Sequence, residues 1–281
     1  MLLDLTDAER TAEKLSDETL AKAVRLFRDT GIVLVPGIYE PTFLESVRAA
    51  YEIELDRYLE GKGGLEALEG KTFGKNHIGF FPPLFPPVAD NRIIAHPVVV
   101  QLLKALLGDD LQCSFFHTNT AMPDSGIQPI HRDQQPLFRT EMSAAHPVSH
   151  IVLNIPLCEF SVANGSTEYW PGTHLIVDRR AEDAGRLEER AAHLPSVRLN
   201  MPLGSFALRD LRAWHRGMPN LADYPRTMFA IVYQREFVTY VPTTVPRSTW
   251  ESWSEDARRI FRRNRVVEDA DHRSLTWEEM R

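Results

Sequence analysis

The chain has 281 residues and a mass of 32.1 kDa, with 43% hydrophobic and 25% charged residues, an ordinary globular composition for one large domain or two small ones at ~100–200 residues each. A net charge of −7 and a pI near 5.8 argue against a non-specific nucleic-acid binder. The apolar runs at 32–35 and 97–100 are far too short to span a bilayer, and two cysteines, Cys113 and Cys158, give neither a disulfide framework nor the spacing of a zinc site. The first nine residues lack a basic region and reach acid at once, so no signal peptide is expected, and a cytoplasmic protein is. Ser16 stands as a helix N-cap, with Leu20, Val24 and Phe27 at helical spacing behind it and Gly31 as its stop. Residues 32–35 follow as a short buried strand. Pro41 suits the first turn of a second helix, whose Leu44, Val47, Tyr51, Leu55 and Tyr58 share one face. Pro97 opens a third helix that Gly108 closes. From Leu111 the texture changes to short strands between turn residues, at 111–118, 128–131, 150–156, 169–170, 174–177, 197–200, 205–208 and 227–236, with a tight-turn signal at Asn164-Gly165. Strands this short and dense predict a sandwich, jelly roll or small barrel. One helix, 180–192, interrupts them. The tail from Trp250 is highly charged, with a helix over 255–263 and Arg-rich runs that read as a solvated face. No repeat or linker divides the chain. A single domain over 1–281 is expected: helical support at 1–110, a β-core at 111–240 and a charged tail at 241–281.

Two histidines and a carboxylate stand out among ten histidines. In a strand, His131-Arg132-Asp133 directs His131 and Asp133 to one side and Arg132 to the other, bringing an imidazole and a carboxylate within reach of one ion. His215 lies 84 residues downstream, and Arg226 eleven residues after that, just before the apolar run 228–233. Two histidines and one carboxylate on one face of a six-coordinate Fe(II) leave three sites open, enough for a chelating co-substrate and O2. A fixed cation on the next strand can hold the far end of a dicarboxylate by a bidentate pair.

In this order and spacing, His131, Asp133, His215 and Arg226 resemble the Fe(II)/2-oxoglutarate dioxygenases of the phytanoyl-CoA dioxygenase type. The run from Phe27 to Pro36 (FRDTGIVLVP) is similar to that family's opening helix–Gly–strand, and the run from Asn164 to His174 (NGSTEYWPGTH) to its Asn-Gly and Pro-Gly-Ser-His segment. The resemblance implies a double-stranded β-helix, a cupin-like jelly roll, packed against N-terminal helices: a mainly β fold with helical support. It implies Fe(II) held by His131, Asp133 and His215, and 2-oxoglutarate held through its C5 carboxylate by Arg226. Gln128 and Thr167 match positions of further co-substrate contact. It also implies oxidation of an unactivated C–H of a small molecule, with O2 consumed and succinate and CO2 released. Related halogenases carry a small residue where Asp133 stands, so oxidation without halide, hydroxylation in the simplest case, is expected. A non-catalytic cupin-like metal protein is the competing class, and Arg226 discriminates against it.

The substrate wall is harder to read. Nineteen prolines against 15 glycines is unusual, and four of them fall in Pro82-Pro83 and Pro86-Pro87 within the aromatic segment from Phe73 to Pro87 (FGKNHIGFFPPLFPP). Two readings fit: a semi-rigid aromatic lip carrying Phe80, Phe81 and Phe85 over the site, or a packed loop clamping the helices to the β-core. His117 and Asn119 alternate on one face of the strand before the metal motif. Phe138 and Arg139 follow that motif, with Gln134 and Gln135. Trp170, Arg212 and Arg216 are further substrate candidates. The expected partner is a small-molecule substrate, with no nucleic acid and no membrane; the sequence gives no oligomeric state.

Overall fold

The computed structural model of the protein describes residues 1–134, 145–177 and 184–273. Thr6 and Glu9 close a reciprocal cap on α1 (Asp7–Ala12). Ser16 caps α2 (Asp17–Thr30) by accepting from the Thr19 N–H, and Gly31 ends it at φ 78°. A Cβ at Gly31 would lie 2.7 Å from both His174 Nδ1 and Tyr169 Oη, so both the backbone angle and the close approach require glycine here. The chain enters β1 (Ile32–Val35), fully buried. Pro41 opens α3 (Pro41–Lys62), which buries Phe43, Leu44, Val47, Tyr51 and Leu55. After β2 (His77–Ile78) and α4 (Asn91–Ile94), Pro97 opens α5 (Pro97–Leu107) and Gly108 stops it.

The remaining core elements are β3 (Gln112–Ala121), β4 (His150–Pro156), β5 (Thr167–Tyr169), α6 (Ala184–Ala191), β6 (Val197–Leu199), β7 (Phe206–Asp210), β8 (His215–Arg216) and β9 (Arg226–Gln234). One six-stranded sheet runs β1-β7-β4-β9-β3-β2 and a three-stranded sheet runs β6-β5-β8. Every pairing in both is antiparallel. The larger sheet has two distinct faces because side chains alternate. Its outer face, with Phe116, Ile151, Leu153, Ile155, Phe206, Leu208, Phe229, Ile231 and Tyr233, merges with the helices in one apolar core, where burial of each such side chain contributes about 1.5–3 kcal/mol. Its inner face carries His117, Val152, Asn154, Arg209, Arg226, Ala230 and Val232. Arg209 reaches from it to His215 on the smaller sheet, so the two sheets face one another as a jelly roll on helical support.

Four sequence expectations change. Residues 128–131 form no strand: Pro129 lacks a donor, and only His131 bridges, to His215. Residues 174–177 give way to a 3-10 turn, Thr173–Leu175, after Gly172 at φ 83°. β2 adds a strand to the helical part. The tail is not simply a solvated face. There β10 (Thr244–Pro246) pairs in parallel with β11 (Arg265–Val267), and α7 (Arg247–Ser252) and α8 (Glu255–Ile260) lie between them. Trp253, Ala257, Ile260 and Phe261 join the main core. Among the described residues no helix is long and apolar enough to cross a membrane.

Candidate metal centre

A backbone exchange fixes the centre. The His131 and His215 N–H groups each donate to the other's carbonyl at 3.0 Å, and the Asp133 N–H donates to Leu211 O at 2.9 Å. His131 Nδ1 lies 2.9 Å from Pro129 O and His215 Nδ1 3.0 Å from Ala213 O. Each contact assigns the ring proton to Nδ1 and leaves Nε2 bare, the form a metal needs. The two Nε2 atoms each stand 3.5 Å from an Asp133 oxygen, and one ligand atom from each of the three residues lies within 4.8 Å of the others. The alternation expected of His131 and Asp133 thus survives without the strand.

The charges are matched. Burial alone raises the Asp133 pKa, but His215, Arg209 and His131 around it hold the carboxylate well below its usual range. Arg209, 4% exposed, donates Nη2 to Asp133 Oδ2 at 2.6 Å. Burial, then Arg209, pushes His215 well down, so its imidazole is neutral.

Arg226 begins β9 opposite Ala121. It is 3% exposed and lies with its guanidinium 4.5 Å from the Phe160 ring. Its Nε and Nη1 have no hydrogen-bond partner among the described residues. Two buried donors left unmade are costly; a carboxylate gripping one edge of the guanidinium would satisfy one of them together with Nη2. Burial lowers its pKa only to about 10, so it stays cationic. Beside it, His77 on β2 pairs with the same Ala121 and bonds Gly126 O at 2.7 Å. Burial lowers the His77 pKa, and both Arg226 and His131 act on it in the same sense, so it lies within electrostatic reach of both. Gln128 accepts from the Gly217 N–H at 2.8 Å and donates to Phe73 O at 2.5 Å. Phe73 packs edge-on against His131, ring centroids 4.7 Å apart. Thr167 opens β5, buried.

The substrate candidates separate. Phe80 is in the core, stacked on Tyr58 at 4.6 Å and Tyr51 at 5.7 Å, not at the site. Phe81 turns inward against His117, 4.9 Å away, and Phe115. His117 is buried on the inner face and pushed down to about 3 by that burial; Asn119 on the same strand is exposed. Trp170 packs with Ile130, Leu187, Ala191 and Trp214 behind the smaller sheet. Arg216 pairs with Glu168 at 2.7 Å and Glu188 at 3.4 Å on that same outer side. Both face away from the centre because they alternate with Tyr169 and His215. Arg212 is held bidentate by Asp210. Gln134 is buried and donates to Ser149 Oγ; Gln135, Phe138 and Arg139 lie outside the described residues. Sequence reasoning missed Arg209, His77 and Phe73 as site residues. The available signal for Arg209 was a charged pair, Arg209-Asp210, directly after the apolar Phe206-Ala207-Leu208; Phe73 and His77 lie in the aromatic segment read as a possible lip, but nothing local set them apart within it.

Residues 27–228 match the phytanoyl-CoA dioxygenase (PhyH) family. The chain belongs to that family. This PhyH-family chain is 25% identical over 209 residues to "Dioxygenase af480" of Aspergillus fumigatus, spanning 70% of itself and 60% of that relative's length. Its fold resembles the non-heme alpha ketoglutarate dependent carbocyclase SnoK from nogalamycin biosynthesis, with a TM-score of 0.57 and 22% identity over 80% of this chain and 85% of that one. It also resembles the epimerase SnoN in complex with Fe3+, alpha ketoglutarate and nogalamycin RO, with a TM-score of 0.55 and 17% identity over 78% and 85%.

Proposed function

We propose that this PhyH-family chain is a non-haem Fe(II)- and 2-oxoglutarate-dependent oxygenase that oxidises an unactivated C–H of a small-molecule metabolite. The observation that carries the reading is Arg226, a buried cation with two unmade donors on the same inner sheet face as Arg209, which bonds Asp133 of the His-Asp-His set. A metal held for structure or sensing needs no such fork, which sets aside a non-catalytic cupin-like protein. Bound iron, 2-oxoglutarate and O2 together supply the oxidant, with release of succinate and CO2. The chain's own residues do the rest. His131, Asp133 and His215 hold the ion from one side. Arg226 takes the C5 carboxylate, with Phe160 against one face of its guanidinium and His77 beside it. Gln128 ties the Phe73 segment to Gly217, and Thr167 flanks the same sheet-to-sheet space.

Where the substrate sits is supported by the inner face. Val152, Leu211, Ala230 and Val232 form an apolar cluster with Phe115, and Leu211 accepts the Asp133 N–H. With Phe81 and neutral His117 beside it, this wall suits an apolar body better than a charged one. Structural neighbours named for nogalamycin biosynthesis fit a metabolite-tailoring role, and hydroxylation without halide is the simplest outcome with Asp133 in place. The test is an anaerobic titration with Fe(II) and then 2-oxoglutarate. A weak visible charge-transfer band is expected, followed in air by conversion of 2-oxoglutarate to succinate when a substrate library is screened. Metal binding with no 2-oxoglutarate band would favour the metal-only reading, and no bound metal at all would refute both.

A further inference from the structure

Arg209 is neither a metal-ligand candidate nor an assigned co-substrate contact, yet it touches two of the three candidate ligands. It sits on a strand flanked on both sides: β7 lies between β1 and β4, and Arg209 pairs with Ile32 on one side and Val152 on the other. Its neighbours Leu208 and Asp210 point outward, so of these three only Arg209 faces the space between the sheets. Nη2 donates to Asp133 Oδ2 at 2.6 Å, and Nη1 lies 3.2 Å from His215 Nδ1. That second contact is not a hydrogen bond in the metal-binding tautomer, because the Nδ1 proton already points at Ala213 O. The guanidinium therefore has one strong directional bond in the site, and it is to a carboxylate oxygen.

The chemistry needed at this centre makes that bond consequential. A free carboxylate can turn in its plane and span two adjacent positions of an ion. Three protein ligands plus a second carboxylate oxygen would leave two open sites instead of three. A chelating 2-oxo acid fills two, and O2 needs the third. A carboxylate clamped through Oδ2 by a buried cation cannot make that turn without breaking a charge-assisted bond. The Asp133 backbone is also fixed, through Leu211 on the same segment that follows Arg209.

We propose that Arg209 is a positioning residue that holds Asp133 in single-oxygen coordination and so reserves the coordination sites used by the co-substrate and O2. The inference rests on the oxygenase reading above and concerns residues of that same site. It predicts a split between metal affinity and co-substrate affinity that a purely structural arginine would not give. The experiment uses the full chain loaded with Co(II), whose visible d–d absorption reports coordination. Arg209→Met should still bind Co(II), show an altered d–d spectrum before any co-substrate is added, and bind 2-oxoglutarate about tenfold or more weakly, a larger loss than in its Co(II) affinity. Arg209→Lys, which keeps the charge and one donor, should recover part of both the spectrum and the affinity. Arg226→Met serves as the contrast: weaker 2-oxoglutarate binding with an unchanged Co(II) spectrum. The proposal is overturned if folded Arg209→Met retains the spectrum and the 2-oxoglutarate affinity and loses only thermal stability. It is equally overturned if Co(II) binding itself disappears. Should Arg209→Met fail to fold, Arg209→Gln and Arg209→Lys carry the same comparison. Failure of the unmodified Co(II) protein to bind 2-oxoglutarate would instead refute the oxygenase reading.

Discussion

The side chains of the centre differ in how much each depends on a partner not present in the chain. Arg226 is the clearest case, because its buried Nε and Nη1 find no acceptor among the described residues. Arg226→Met keeps the apolar length against Phe160 and removes the fork. A charged bidentate pair contributes roughly 1.5–3 kcal/mol, so 2-oxoglutarate affinity should fall about 10–150-fold, read by titration of the Fe(II)- or Co(II)-loaded protein. His272 shows the opposite situation, a histidine committed to its neighbours. Its Nε2 accepts from the Leu84 N–H at 2.8 Å, and its Nδ1 faces Thr244 Oγ1 at 2.9 Å. Burial pushes its pKa down to about 4. The folded state therefore binds the proton less readily than the unfolded chain. The resulting stability is complete above the unfolded value near 6.5 and is lost as pH falls through 6 towards 4. For a half-exposed group roughly 1 kcal/mol, or about 2–4 °C in Tm, should go over that window. His272→Gln, which keeps an acceptor for Leu84, should flatten the Tm–pH curve there; an unchanged slope would remove His272 as its cause.

Among elements, the proline-rich segment is the one whose role the structure divides. Phe73 lies against His131, while Phe80 stacks on Tyr58 and Tyr51 and clamps α3 to the sheet. Phe80, expected at a lip, is the clamp, and Phe73 at the start of the run is the ring that meets the centre. Phe80→Ala should cost about 3–5 kcal/mol by cavity formation and lower Tm, with 2-oxoglutarate affinity unchanged in the folded fraction. Phe73→Ala, at 54% exposure, should leave stability within about 0.5 kcal/mol of the parent and change substrate KM instead. A reversed pattern in denaturation and kinetics would exchange the two assignments. The sequence could not separate them, because both are Phe beside Gly or Pro. Which one meets an imidazole depends on β2 pairing at the edge with β3, a contact made by two residues. Trp170 and Arg216 fail as substrate contacts for a related reason. Their faces follow from the phase of β5 and β8, which only the pairing of Tyr169 with His215 fixes.

At the scale of the whole molecule, helices, sheet and tail share one apolar core, so we expect a single cooperative unfolding transition by heat and denaturant. Deletion of residues 241–281 should abolish it, because Trp253, Ala257, Ile260 and Phe261 leave that core; a soluble truncated chain with the parent Tm would overturn this. The sequence by itself determined the helix starts and stops at Ser16, Gly31, Pro41, Pro97 and Gly108, the change to short strands after Leu111, and the His131, Asp133, His215 and Arg226 spacing. Caps, prolines and glycines act through their own backbone, and a His-x-Asp pair through two bonds of alternation, so neighbours in sequence suffice to read them. Only the tertiary structure decided that Arg209 touches Asp133, that His77 stands beside Arg226, that Phe80 belongs to the core and that a charged tail supplies buried aromatics. Each of these depends on which distant segment lies alongside, and that is set by the packing of the entire core. The acidic balance with which the sequence is first read does not foretell that a buried Arg209 would hold Asp133 and that Phe73 would pack on His131.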